Sequence, residues 1–281
     1  MTRKIFISIL LVIAIATYAN AVERIYFKGT DKDKDGNVLE LRGKLIKPDG
    51  NGPFPAVVLL HDCPGIRSDV EGAAAEKISS WGYVTLQVDS FSPRGIGESC
   101  ADFGIIPPNT RVLDAYDAKY YLSKLPYVDR NRIAILGLGH GGETALCAVS
   151  RANMNANASM YKNSRANRII DEKTFSSYPP FQAAVAFYPR CAGGLADSNS
   201  PLLMLTGESD TFSPPNLCTK NMPSGSPSKE IILKVYPKAA HAFANPSVLN
   251  ESFIGHKIAY QAEAAADADI QIKNFFSKHL K

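Results

Sequence analysis

The chain has 281 residues, 45% of them hydrophobic and 21% charged, with a formal net charge of +4 at pH 7. That balance is ordinary for a globular protein with a sizeable core. Lys and Arg are scattered among Asp and Glu without a basic block or an aromatic-interleaved patch, which gives nucleic-acid binding no support.

Thr2-Arg3-Lys4 is a basic start, Ile5 to Ala16 is almost wholly apolar, and Ala19-Asn20-Ala21 follows the small-x-small rule of signal peptidase. Residues 1–21 are expected to be a secretory signal peptide cleaved after Ala21. A membrane anchor is the alternative, but the run is shorter than the ~20 residues that span a bilayer. No Cys follows it to carry a lipid, so no stable membrane anchor is expected. The mature protein is expected to be secreted or periplasmic, with residues 22–281 as one domain.

Glu23 to Phe27 and Val38 to Ile46 read as two strands. The loop between them carries Asp31, Asp33, Asp35 and Gly36, which imitate the opening of a calcium loop. Arg42 stands where the closing bidentate Glu belongs, so a plain hairpin turn is favoured and no metal site is expected. Ala56 to Leu60 is a fully apolar strand, Glu71 to Ser80 a helix, and Tyr83 to Val88 a strand. Arg111 to Leu125 has helical spacing, and Arg132 to Leu136 is another strand. Strands resume at Ala183–Phe187, Leu202–Leu205 and Ile231–Val235, and a last helix covers about Tyr260 to Leu280. The polar stretch 151–180 interrupts the rhythm and reads as a partly helical surface insertion. Short apolar strands alternating with helices predict an α/β fold, a mainly parallel central sheet with helices on both faces.

In such a sheet functional groups gather beyond the carboxyl ends of the strands. The strand through Val58 ends at His61-Asp62-Cys63, and the one through Ile135 ends in a glycine cluster, Gly137 to Gly142. Leu202–Leu205 leads to Asp210, and Ile231–Val235 leads to His241. The order is strand–turn–helix elbow, then Asp, then His, which is the chain order of α/β-hydrolases. A carboxylate beside an imidazole fixes its tautomer and stabilises its charged form, the pairing general-base chemistry needs.

Export would permit disulfides among Cys63, Cys100, Cys147, Cys191 and Cys218. An odd count leaves at least one thiol unpaired, and no C-x-x-C pair is present. Cys191–Cys218 is the expected bridge, because both follow strands at the same sheet edge. Cys63–Cys100 is a second candidate, and Cys147 reads as a buried helix thiol. Sequence alone does not fix the connectivity.

The stretches VVLLHDCPGI, GYVTLQVDSFSPRGIGESC, RVLDAYDAKYYL, RIAILGLGHGG, AVAFYPRC, PLLMLTGESDTFSPPNLC and VYPKAAHAF occur in one order from about Leu41 to the C-terminus. In that order the chain resembles the dienelactone hydrolase family, especially its exported branch. The resemblance implies hydrolysis of a small ester or lactone without a metal or organic cofactor. It places the catalytic acid on Asp210 and the base on His241. It also makes the backbone N–H groups of Cys63 and His140 the oxyanion hole. Asp62 falls where many members carry Glu beside a catalytic thiol. Arg94 falls on a substrate-carboxylate contact, with a structural salt bridge as its alternative. A second basic contact is missing, because Asn245 stands in its place. Oligomeric state is left open.

The family elbow is Gly-x-Ser/Cys-x-Gly-Gly, whereas this chain has Gly137-Leu138-Gly139-His140-Gly141-Gly142. Gly139 therefore takes the nucleophile's position, and no shift of register supplies a Ser or Cys. Loss of a serine nucleophile costs about a millionfold in kcat in a studied protease. Three readings stay open: water activated by His241 and Asp210, attack by Cys63, or a catalytically inactive binding module built on the old pocket.

Overall fold

The computed structural model describes residues 22–281 except Lys34. The expected signal peptide lies outside the described residues. The first two strands, β1 (Val22–Lys32) and β2 (Val38–Ile46), form an antiparallel hairpin. β1 is longer than its sequence suggests because Asp33 closes the turn, its Oδ1 accepting from the Asp35 and Asn37 amides at 2.9 Å each. Asp31 turns instead to Arg94 and Arg168, so the acidic residues of this loop face different partners.

The strands β3 (Phe54–Leu60), β4 (Val84–Asp89), β5 (Val128–Leu138), β6 (Ala184–Phe187), β7 (Leu202–Gly207) and β8 (Ile231–Tyr236) complete an eight-stranded sheet. Its order is β1-β2-β4-β3-β5-β6-β7-β8. β2 pairs β4 antiparallel, and every pairing from β4 to β8 is parallel. Ala56 to Leu60 is shut off from solvent on both faces, as a central parallel strand must be. Ala56, Val58 and Leu60 join one core, and Val57 and Leu59 join the other.

The first core is capped by α2 (Arg111–Ser123) and α3 (His140–Val149), the second by α1 (Ala73–Ser80) and α7 (Ala262–His279). α1 starts later than its sequence suggests. A π-helical turn at Ser68–Gly72 precedes it, and Glu71 turns inward to accept from the amides of Arg67 and Asp62. The 151–180 insertion carries α4 (Arg151–Met160) and α5 (Glu172–Ser177). Cys63 is bonded to Cys100 and Cys191 to Cys218, while Cys147 is a buried thiol. No described helix is long and apolar enough to cross a membrane.

Three elements escape the sequence pattern: α6 (Pro215–Asn221), β9 (Glu251–Phe253) and β10 (His256–Ile258). The β9–β10 strands are too short for alternation to register. Ile254 and Gly255 both take positive φ in the tight turn between them.

The elbow depends on close backbone approach. A Cβ on Gly141 would strike the carbonyl oxygen of Leu60, so α3 rests directly on β3. We expect Gly141→Ala to lower unfolding free energy by about 1–3 kcal/mol, the usual cost of overpacking, measured by urea denaturation. An unchanged midpoint would contradict the contact.

Candidate functional site

Gly139 joins β5 to α3 with φ 49° and ψ −111°, a backbone that L side chains rarely adopt. Its turn aims the His140 amide outward. Across the elbow, the loop after β3 presents the Cys63 amide. Both donate to one atom, Asp62 Oδ1, at 2.8 Å from His140 and 2.6 Å from Cys63. Asp62 Oδ2 takes no hydrogen bond from any described residue. A Cβ built on Gly139 would fall inside the Asp62 carboxylate. Gly139 and Asp62 are thus complementary: the carboxylate fills the space that a side chain at the elbow would occupy.

His241 follows β8 and Asp210 follows β7. His241 Nδ1 lies 2.7 Å from Asp210 Oδ2, and both side chains are buried. Asp210 Oδ1 accepts from the amides of Phe212 and Ser213, which fixes the carboxylate. Burial alone would depress the His241 pKa. The hydrogen bond and charge of Asp210, with the charge of Asp62, hold it above its ordinary value. Ala242, next in sequence, has φ 59°, a strained conformation at the loop that carries the imidazole.

Asp62 and His241 line one cavity of about 100 Å³, together with Arg67, Glu71, Phe212 and Asn245. Cys63, Phe212 and Phe253, which also line it, belong to a small apolar cluster with Cys100 and Phe103. The β9–β10 hairpin delivers Phe253, and His241 bridges to Ile258 on β10.

Arg111 lies beneath this face, fully buried. It donates to His140 Nδ1 at 2.7 Å and to the His61 carbonyl at 2.9 Å, and it stacks over Phe91. One guanidinium therefore clamps the two chain segments that supply the converging amides. Burial lowers its pKa to about 10. Burial and the nearby Arg111 charge keep His140 and His61 well below the ordinary histidine value. Glu71, also beneath the loop, is pushed up to about 7 by burial.

The structure brings Asp62, Cys63, Gly139, His140, Asp210 and His241 together. It does not bring Arg94 to them. Arg94 spends Nη1 on Asp114 and the Ser90 carbonyl and Nη2 on Asp114 and Asp31. Its geometry is that of a structural salt bridge, which is the alternative to a substrate contact. Cys63 is consumed in its disulfide, so it holds no free thiol for attack. Sequence reasoning passed over Arg111, Arg67 and Glu71. Arg111 carried one signal: a cation in the first turn of a helix opposes the helix dipole and needs another reason to be there.

Residues 41–280 match the model of the dienelactone hydrolase family. A carboxymethylenebutenolidase-like protein of Synechocystis sp. is 24% identical over 257 residues, covering 86% of this chain and 94% of its own. The peroxisomal succinyl-coenzyme A thioesterase of Mus musculus is 24% identical over 283 residues, covering 85% of this chain and 63% of the mouse protein. A dienelactone hydrolase-like promiscuous phosphotriesterase from metagenomic libraries aligns with TM-score 0.65 at 18% identity, over 93% of this chain and 100% of that one. The acylaminoacyl peptidase of Pyrococcus horikoshii aligns with TM-score 0.60 at 16% identity, over 95% of this chain and 43% of that one. At these identities the structural likeness speaks for the fold. The match over residues 41–280, on a mainly parallel sheet flanked by helices, establishes that this chain belongs to the dienelactone hydrolase family of α/β-hydrolases.

Proposed function

We propose that this protein hydrolyses a small ester or lactone with water in place of a side-chain nucleophile. The observation that carries the reading is the convergence of His241–Asp210 and the Cys63 and His140 amides on the elbow at Gly139. His241 takes a proton from water at Nε2 while Asp210 holds Nδ1–H. The nascent hydroxide attacks a carbonyl carbon, and the two amides, acting as an oxyanion hole, stabilise the charge on its oxygen. The small, largely apolar cavity suits a compact substrate. The two disulfides and the basic-then-apolar N-terminus support an oxidising compartment outside the cytoplasm, and residues 22–281 are taken as one domain.

A second reading has its own observation. Asp62 Oδ1 already sits in the hole, so an ester carbonyl must displace it. A protein that only binds a small molecule would keep that carboxylate in place. The two readings separate on p-nitrophenyl acetate. For the hydrolase, Asp62→Ala lowers KM severalfold, and His241→Ala abolishes turnover in either background. Ligand binding with no turnover in both wild type and Asp62→Ala would establish the binding module instead.

The raised His241 pKa sets the pH profile. The base works only when neutral, so kcat/KM should fall as pH drops through an apparent pKa above 6.5. Asp210→Asn should move that pKa down and cost up to about ten-thousandfold in kcat. A profile flat across this range would remove His241 as the base. Stability has the same origin with its own sign. A folded pKa above the unfolded one contributes stability that is full below about 6.5 and lost as pH rises through the folded value. The urea-midpoint gap between wild type and His241→Gln should accordingly be wider at acidic than at alkaline pH.

Restoring a nucleophile requires two changes. Gly139→Ser alone drives its Cβ into Asp62 and should yield a destabilised protein without an acyl-enzyme burst. Adding Asp62→Gly should relieve the collision and produce the burst with p-nitrophenyl acetate. Equal bursts with and without Asp62→Gly would refute the steric coupling.

A further inference from the structure

Direct water attack on a substrate carbonyl leaves Asp62 without a role. Yet Asp62 is the best-placed reactive group in the cavity. Oδ1 is held by two backbone N–H groups, Oδ2 is free of hydrogen bonds from the described residues, and the side chain lines the same cavity as His241. Its backbone is fixed as well. The Asp62 amide donates to Glu71, its carbonyl accepts from His61 Nδ1 at 2.7 Å, and Cys63 is tied to Cys100. A carboxylate with one oxygen clamped and the other unbonded, on a side chain that lines a pocket, is arranged as a nucleophile.

We propose that Asp62 is a covalent nucleophile toward saturated carbon, giving this site a second activity: hydrolysis of small alkyl halides through an alkyl ester of Asp62. The inference rests on the roles assigned above to His241, Asp210 and the two amides. It differs in naming the carbonyl that they serve, which is that of Asp62 itself.

The electrons balance at each step. A lone pair of Asp62 Oδ2 attacks the carbon bearing the halogen. A C–O bond forms, the C–halogen bond breaks, and its pair leaves with the halide. The resulting ester carries Oδ1 as its carbonyl oxygen, already between the Cys63 and His140 amides. His241 then takes a proton from water, whose oxygen bonds to Asp62 Cγ while charge moves onto Oδ1. Collapse expels the alkoxide, which takes the proton back from His241 and leaves as the alcohol. The regenerated carboxyl group loses its proton to solvent. The net reaction consumes halide and water and yields alcohol, halide ion and a proton.

Chemistry favours saturated carbon over acyl carbon. Attack of a carboxylate on an acyl group gives an anhydride that reverts readily, whereas attack on saturated carbon gives an ester that only the activated water reopens. The cavity walls fit such a substrate. Phe212 and Phe253 are apolar, their ring edges are weakly positive toward a departing halide, and Arg67 lines the same space.

The test uses the full disulfide-bonded protein with n-propyl bromide as probe. We expect bromide release by wild type, and none above background by Asp62→Asn, which keeps an acceptor at Oδ1 for both amides. His241→Ala should stop after one turnover and retain a propyl ester on Asp62, located by peptide mass mapping. A single turnover of wild type in heavy-oxygen water needs no variant: the label should enter Asp62, and the first propanol should be unlabelled. The proposal is overturned if no bromide is released, if Asp62→Asn releases it as fast as wild type, or if the first propanol carries the label. Failure of the underlying reading shows separately, as p-nitrophenyl acetate hydrolysis that survives His241→Ala.

Discussion

One carboxylate oxygen shared by two backbone amides organises this face of the molecule. Asp62 Oδ1 joins the loop after β3 to the first residue of α3, the two segments that leave the centre of the sheet side by side. The bond is possible only because residue 139 has no side chain. Arg111 repeats the connection one layer deeper, holding His61 and His140 from below. The elbow is therefore braced twice, once by an anion at the surface and once by a cation in the core.

The surrounding charges are unevenly compensated. Glu143 is fully buried beside Arg190 and is pushed up to about 7 by burial, as Glu71 is. Both carboxyls are thus raised above the usual carboxylate range, while the Asp210–His241 pair retains a hydrogen bond of 2.7 Å. Arg190 also donates to Tyr161 and stacks over Phe103, which links the 151–180 insertion to the apolar cluster of Cys63, Cys100 and Phe103.

The sheet was legible because its strands are short apolar runs with consistent punctuation. Ala56–Leu60 announces a strand buried on both faces, and the glycines at 137, 139, 141 and 142 announce a turn with close backbone approach. The ends of the two strands located Asp210 and His241, and shared sheet edges made Cys191–Cys218 the expected bridge and Cys63–Cys100 a second candidate, both of which are bonded. What stayed hidden were interactions between residues distant in sequence. Nothing near Asp62 says that its carboxylate will cross to residue 139, because a loop aspartate has many local partners to choose from. For Arg94 the sequence left a substrate contact and a structural salt bridge open, since its partner Asp31 lies 63 positions away in the chain. The β9–β10 hairpin was silent because three-residue strands carry too little periodicity.

The Cys63–Cys100 bond lies beside all of this. Cys63 contributes an amide to the shared carboxylate, and its carbonyl accepts from Ser99, next to its bonded partner. The bond therefore does little for the parallel sheet and much for the position of one loop. An oxidising compartment lets this bond form, and the bond ties the loop that carries the Cys63 amide to the segment at Cys100. The redox state of the surroundings would thereby bear on where the Cys63 amide stands, and not only on the stability of the chain.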